Sequence, residues 1–170
     1  ITLEKKTKEF KIKSGIWRGK YLCDLYKSAC TPFNWHLDAF KIAKKYNKII
    51  FSSPFSARAV DFLEKLKVPI YKIASFEITD YSLINYIASK KKPIIISTGM
   101  ATINEIKKTI EIIERHHKKI IILHCVSNYP TKISDTNLNR INILKNQFKN
   151  YPIGLSDQTN TIYTSVTSVA

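Results

Sequence analysis

From residue 48 onward the apolar positions follow two patterns that take turns. Short continuous runs occur at Lys48-Ile49-Ile50-Phe51-Ser52, Pro69 to Ala74, Pro93-Ile94-Ile95-Ile96-Ser97, Ile120-Ile121-Ile122-Leu123-His124 and Ile153-Gly154-Leu155-Ser156. Each is short, rich in Ile and bounded by Pro, Gly, Ser or charged residues, so each predicts a strand. Between them apolar residues recur at three- and four-residue spacing, as with Val60, Leu63 and Leu66 inside Ala57–Lys67, or Ile106, Ile110 and Ile113 after Thr102. These predict helices, as do Tyr81–Ser89, Asn137–Lys149 and the stretch from Thr161. Thr102 starts its helix with a capping box, because Glu105 stands three residues on.

The first part of the chain is less regular. Residues Ile1–Lys20 alternate weakly through Phe10, Ile12, Gly15-Ile16 and Trp17, which fits a hairpin or an extended excursion. Tyr21–Ser28 predicts a short helix. Thr31-Pro32 reads as N-cap and first residue of a second helix ending near Asn47, with Trp35, Leu37, Phe40, Ile42 and Ala43 as its apolar stripe.

Five strands in strict alternation with helices define an α/β protein. The strands are continuously apolar rather than alternating, which predicts a parallel sheet covered on both faces. A doubly wound sheet and a (β/α)8 barrel both satisfy this pattern. There is no G-x-G-x-x-G and no P-loop, and only 4 glycines, so nucleotide binding is not indicated.

The 170 residues suffice for one domain with a sizeable core, and a 44% hydrophobic, 24% charged composition is that of a globular protein. No apolar run is long enough to span a membrane, and the start, Ile1-Thr2-Leu3-Glu4-Lys5-Lys6, is not a signal peptide. It also lacks an initiating Met, which suggests a piece of a longer protein. The formal charge of +15 raises the question of nucleic acid. Yet the lysines are spread over most helices, the runs Lys90-Lys91-Lys92 and His116-His117-Lys118-Lys119 sit at helix-to-strand turns, and no aromatic platform accompanies them. Neither a nucleic-acid nor a membrane partner is expected. The 3 cysteines, Cys23, Cys30 and Cys125, have no metal spacing and indicate a reducing, cytoplasmic setting.

The strand ends carry the chemistry. They read Ser52-Ser53, Ser75 with Glu77, Ser97-Thr98-Gly99, His124 with Ser127, and Ser156-Asp157. Sites form at the carboxyl ends of strands in both parallel architectures. Lys72 lies inside a strand that otherwise reads as buried, where an ammonium is costly unless an anion meets it. Short hydroxyls around one lysine suit a phosphate or a carboxylate. The competing reading is that each hydroxyl, and Asp157, caps the helix that follows it, and that His124 is a hydrogen-bonded core residue.

Several of these segments, taken in order, resemble the sialic acid synthase family. They are Lys72-Ile73-Ala74-Ser75-Phe76-Glu77, Pro93 through Ser97-Thr98-Gly99-Met100-Ala101-Thr102, Leu123-His124-Cys125-Val126-Ser127-Asn128-Tyr129-Pro130 and Gly154-Leu155-Ser156-Asp157, with Phe51-Ser52-Ser53-Pro54-Phe55 in support. Phe76, where many members carry Gly, and Thr31-Pro32-Phe33-Asn34-Trp35-His36 resemble the branch that uses a 2,4-diacetamido-trideoxy hexose. Branches making N-acetylneuraminate or legionaminate stay open. The resemblance covers essentially the whole chain.

It implies an incomplete (β/α)8 TIM barrel, about strands three to seven, with residues 1–170 as a single partial catalytic domain. The first two strands, the last strand and a C-terminal antifreeze-like domain would be missing. The implied activity condenses phosphoenolpyruvate with an acylated amino sugar to a nonulosonic acid and phosphate. Carried onto this chain, the phosphoenolpyruvate-binding positions are Ser53, Lys72, Ser75, Ser97, Ser127 and Ser156, and the catalytic candidates are Glu77, Lys72 and Tyr129, the last facing the sugar. The family implies a divalent metal, Mn²⁺ or Mg²⁺ with Co²⁺ as an alternative, and a homodimer. Gln158 stands where the family carries a histidine ligand, and a Gln carbonyl is a harder, weaker ligand than imidazole. These departures lead to the expectation that the chain is inactive alone, with a truncated remnant as the alternative to an enzyme.

Overall fold

The computed structural model describes residues 6–14 and 17–169, so residues 1–5 and Gly15-Ile16 of the expected N-terminal excursion lie outside the described residues. The chain divides into two compact units, Ile1–Lys48 and Ile49–Ala170.

In the first unit, Lys11 pairs antiparallel with Tyr21 at one bridge, and the Ile12 amide donates to the Lys20 carbonyl at 2.9 Å. Among the described residues the hairpin reading is thereby reduced to a single bridge. Helices α1 (Leu22–Ala29) and α2 (Phe33–Lys45) follow. Thr31 does not cap α2: Pro32 holds the cap position with ψ 140°, and the helix starts one residue later than expected. Proline's fixed φ serves the cap and the first turn equally well, so sequence cannot separate them. α2 buries none of its residues, and Trp35 of the expected stripe is 63% exposed.

The second unit contains α3 (Ala57–Lys65), β1 (Tyr71–Ile73), α4 (Tyr81–Ala88), β2 (Ile94–Ser97), α5 (Ile103–Glu114), β3 (Ile120–Cys125), α6 (Asn139–Gln147), β4 (Ile153–Ser156) and α7 (Tyr163–Thr167). The strands form one 4-stranded sheet in the order β1-β2-β3-β4, every pair parallel. A doubly wound sheet reverses its strand order at a switch point, and this one does not. Consecutive parallel neighbours joined by helices are a sector of a (β/α)8 barrel.

The expected first strand, Lys48–Ser52, is a correction. Among the described residues it contributes one parallel bridge, Ser52 to Tyr71. Ile49 is 80% exposed and Phe51 is also exposed, so the segment lacks the burial that stabilises a parallel strand.

Register sorts the side chains into two faces. Tyr71, Ile94 and Ile120 stand level, as do Ile73, Ile96 and Ile122. All are buried, and Val60 and Leu63 of α3, Ile84 and Ile87 of α4, Ile106 and Ile113 of α5, and Ile141 and Leu144 of α6 are among the helix residues buried with them. Each such side chain contributes on the order of 1.5–3 kcal/mol. The opposite face carries Lys72, Ile95, Ile121 and Leu123, all half-buried. The continuous apolar runs predicted two covered faces; among the described residues the helix face is closed, whereas the other is half-buried along the strands and buried only at Ser97 and Cys125. No helix among them is long and apolar enough to cross a membrane.

Helix starts follow local chemistry. Ser56 accepts from the Ala59 amide, Asp80 from the Leu83 amide, and Thr102 with Glu105 forms both arms of the expected capping box. Such caps stabilise a helix by about 1 kcal/mol each.

Candidate active site

The caps decide between the two readings of the strand-end hydroxyls. Capping of α3, α4 and α5 falls to Ser56, Asp80 and Thr102, none of which is the hydroxyl at a strand end. Ser75, Ser97 and Ser127 are therefore left for other work.

Lys72, at the middle of β1, shares a face with Ser97 at the end of β2, Cys125 at the end of β3 and Ser156, the β4 partner of Cys125. Ser53 stands one residue past the bridge at Ser52, at the level of Lys72, whose amide donates to the Ser52 carbonyl at 3.4 Å. Beyond β1 the chain makes one 3₁₀ turn, Ser75–Glu77, which buries both Ser75 and Glu77. The Gly99 amide donates to Ser75 Oγ at 3.1 Å. A Cβ placed on Gly99 would stand 2.2 Å from Ser127 Oγ and 2.8 Å from Ser75 Oγ. The hydroxyls after β1 and β3 thus converge on the bare backbone after β2. Gly99 is the residue that sequence reasoning named in a motif but not in the site. Its signal was a glycine at a strand exit in a chain with only 4.

This cradle is short of internal partners. Glu77 Oε2, Ser97 Oγ and Ser127 Oγ are buried and have no hydrogen-bonding partner among the described residues. Buried polar atoms are nearly always paired, so three orphans in one rim call for a ligand. Lys72 forms no ion pair among the described residues. Burial lowers its pKa, against the pull of Cys125 and Glu77. Burial likewise raises the pKa of Glu77, and Asp80 adds to it while Lys72 opposes it. One half-buried cation, donors from three loops and a carboxyl with raised proton affinity can hold a compact anion and move a proton beside it.

Other candidates lie elsewhere. His124 is on the helix face, level with Leu155, and its Nε2 meets the Thr136 carbonyl at 2.7 Å, the core-histidine reading. Asp157 accepts from the Thr159 amide and from Ser165 Oγ, both at 2.8 Å, so it organises the entry to α7. Burial opposes its ionisation, but these hydrogen bonds prevail and lower its pKa. Tyr129 is 65% exposed. Gln158 Nε2 donates to Ser156 Oγ at 3.3 Å. No group of three or more His, Cys, Asp or Glu suited to a metal exists among the described residues. His124, Asp157 and Gln158 border one small cavity, in which His124 Nε2 is taken up by the Thr136 carbonyl and both Asp157 oxygens accept hydrogen bonds, so these side chains alone do not make a complete ligand set for a divalent ion among the described residues.

A barrel sector whose carboxyl rim gathers a half-buried lysine, a buried carboxyl and unpartnered hydroxyls is the class that fold and geometry define. The chain belongs to the NeuB family, whose model matches residues 1–170. It is 42% identical to pseudaminic acid synthase of Campylobacter jejuni over 171 residues, covering 100% of this chain and 50% of that protein. Pseudaminic acid synthase of Helicobacter pylori is 44% identical over 161 residues, 94% of this chain and 47% of its own length. Among solved structures, N-acetylneuraminic acid (sialic acid) synthetase from Leptospira borgpetersenii serovar Hardjo-bovis, in complex with citrate, superposes with a TM-score of 0.82 at 32% identity, over 86% of this chain and 51% of that one. The chain spans about half the length of the curated relatives it matches.

Proposed function

We propose that the protein containing this chain is a pseudaminic acid synthase, joining phosphoenolpyruvate to a 2,4-diacetamido-trideoxy hexose to give a nonulosonic acid and phosphate. The convergence of Ser75, Gly99 and Ser127 at the rim that holds Lys72 carries this reading. The 42% identity to a relative of that name selects the branch.

In this reading Lys72 balances the charge of phosphoenolpyruvate, and Ser53, Ser75, Ser97, Ser127 and Ser156 donate to its oxygens. The methylene carbon of the enol ester attacks the aldehyde carbon of the open-chain sugar. A carbon–carbon bond forms, the aldehyde oxygen becomes an alkoxide, and positive charge develops at the ester-bearing carbon. Glu77, whose burial favours the protonated form, gives its proton to the alkoxide. As a carboxylate it then takes a proton from the water that adds to the ester-bearing carbon. The resulting hemiketal phosphate expels phosphate, leaving the keto acid and a neutral Glu77 ready for another cycle. Fixed donors around the phosphate supply the electrostatic part of the catalysis. A cleft of about 480 Å³ bordered by Thr98, Ser127, Asn128 and Arg140 leaves room for the sugar, with Tyr129 beside it on the same loop.

Lys72→Ala tests the reading. Calorimetry on the whole protein is expected to show phosphoenolpyruvate affinity falling on the order of 100-fold, since removing one partner of a buried charge pair leaves the other unpaired. Unchanged affinity would refute the assignment.

A further inference from the structure

We propose that Thr131 is a positioning residue that sets Ser127 in the cradle, an inference that rests on the phosphoenolpyruvate reading of that cradle. Thr131 is 5% exposed and lies two residues beyond Tyr129, outside the cradle itself. Its Oγ1 reaches the Asn128 carbonyl at 2.8 Å and the Val126 carbonyl at 3.3 Å. These are the two residues flanking Ser127. A hydroxyl has one proton, so the shorter contact to Asn128 takes most of it while Val126 shares the remainder.

The backbone of Thr131 ties the loop outward as well. Its amide donates to the Gln158 carbonyl at 2.8 Å, joining the exit of β3 to the exit of β4. The far end of the loop is held by His124, whose Nε2 carries the proton that meets the Thr136 carbonyl at 2.7 Å. Ser127 therefore sits in a segment pinned at both ends and cross-tied beneath itself. Its own Oγ, by contrast, is buried with no partner among the described residues. Nothing that Ser127 bonds to holds it in place, so its position is set through the backbone, and Thr131 supplies the cross-tie.

A group held this way loses its alignment when the tie is cut, although it is not itself altered. One hydrogen bond of this kind corresponds to about a fivefold to tenfold change in affinity. The experiment is a double-mutant cycle on the whole protein, using Thr131→Val, Thr131→Ser, Ser127→Ala and the pair Thr131→Val with Ser127→Ala. The measurements are phosphoenolpyruvate binding by calorimetry, and KM against kcat.

Thr131→Val is expected to weaken phosphoenolpyruvate binding and raise its KM about fivefold to tenfold with kcat nearly constant. Thr131→Ser, which keeps the hydroxyl, restores both. In the Ser127→Ala background, Thr131→Val has no further effect, because residues acting through one another are not additive. Should Thr131→Val not fold, Thr131→Ala removes the same hydroxyl with less steric demand and takes its place in the cycle. The same loss in both backgrounds, or a Thr131→Ser variant as weak as Thr131→Val, would overturn the positioning role alone. A wild-type protein that binds no phosphoenolpyruvate would overturn the cradle reading and this inference together.

Discussion

Glu64 at one end of the sheet and Glu77 at the other meet opposite surroundings. On the side where the strands begin, carboxylates are matched with tyrosine hydroxyls. Tyr71 donates to Glu64 at 2.6 Å, where Lys92 also arrives at 2.6 Å. Tyr86 donates to Asp61, and Tyr151 to Glu114. On the side where the strands end, Glu77, Ser97 and Ser127 each present a buried oxygen without a partner among the described residues. The pKa directions follow. Burial works against the ionised form of Glu64, but the hydrogen bonds from Lys92 and Tyr71 outweigh it and its pKa is lowered. Burial dominates at Glu77 and its pKa is raised. A paired carboxylate ties elements together, whereas an unpaired one lowers stability and keeps its hydrogen-bonding capacity for something else.

The contrast breaks most readily at Gly99. Gly99→Ala puts a methyl group where Ser127 Oγ and Ser75 Oγ now converge. Both are short side chains that can rotate aside, so the fold survives but the cradle loses two donors. Phosphoenolpyruvate affinity, measured by calorimetry, is expected to fall on the order of 100-fold with little change in melting temperature. Retained affinity would mean that the two hydroxyls do not meet the ligand.

Tyr71→Phe probes the other end. It removes the hydroxyl from Glu64 at a position with 0% exposure. A loss of about 1–2 kcal/mol in stability is expected, with phosphoenolpyruvate binding unchanged. A change in binding comparable to that of Gly99→Ala would erase the distinction between the two ends.

The smallest effect is a pair of pH dependences with opposite sign. Because its folded pKa is raised, the contribution of Glu77 is fully present below the ordinary carboxylate value and is lost as pH rises through its folded value. Glu77→Gln therefore raises the thermal midpoint by a few degrees near neutral pH, and the gain vanishes in acid. Glu64, with its lowered pKa, contributes above the ordinary value and loses that contribution as pH falls through its folded value. Glu64→Gln lowers the midpoint near neutral pH and converges with the wild type in acid. Parallel curves for the two variants would contradict the contrast.

Much of this was legible in advance. The alternation of Ile-rich runs with three- and four-residue spacing located β1 to β4 and the helices between them, because burial imposes those periods directly on the residue order. The Thr102–Glu105 capping box was readable for the same reason: all its partners lie within one turn. Sequence also marked Lys72 as costly inside a buried strand, and Ser75, Glu77, Ser97 and Ser127 as polar groups recurring at strand exits. It misjudged Lys48–Ser52, whose apolar run says nothing about whether a neighbour exists to cover it.

What the residue order determined by itself was the succession of elements and the kind of polar group at each strand exit, since both depend on local pattern. Tertiary structure alone decided which of those groups meet. Register turned His124 away from Lys72, packing placed Gly99 between two serines, and the Thr131 amide came to meet the Gln158 carbonyl across two strand exits. The physical reason is that side-chain direction in a sheet alternates with every residue, so convergence depends on how neighbouring strands are aligned.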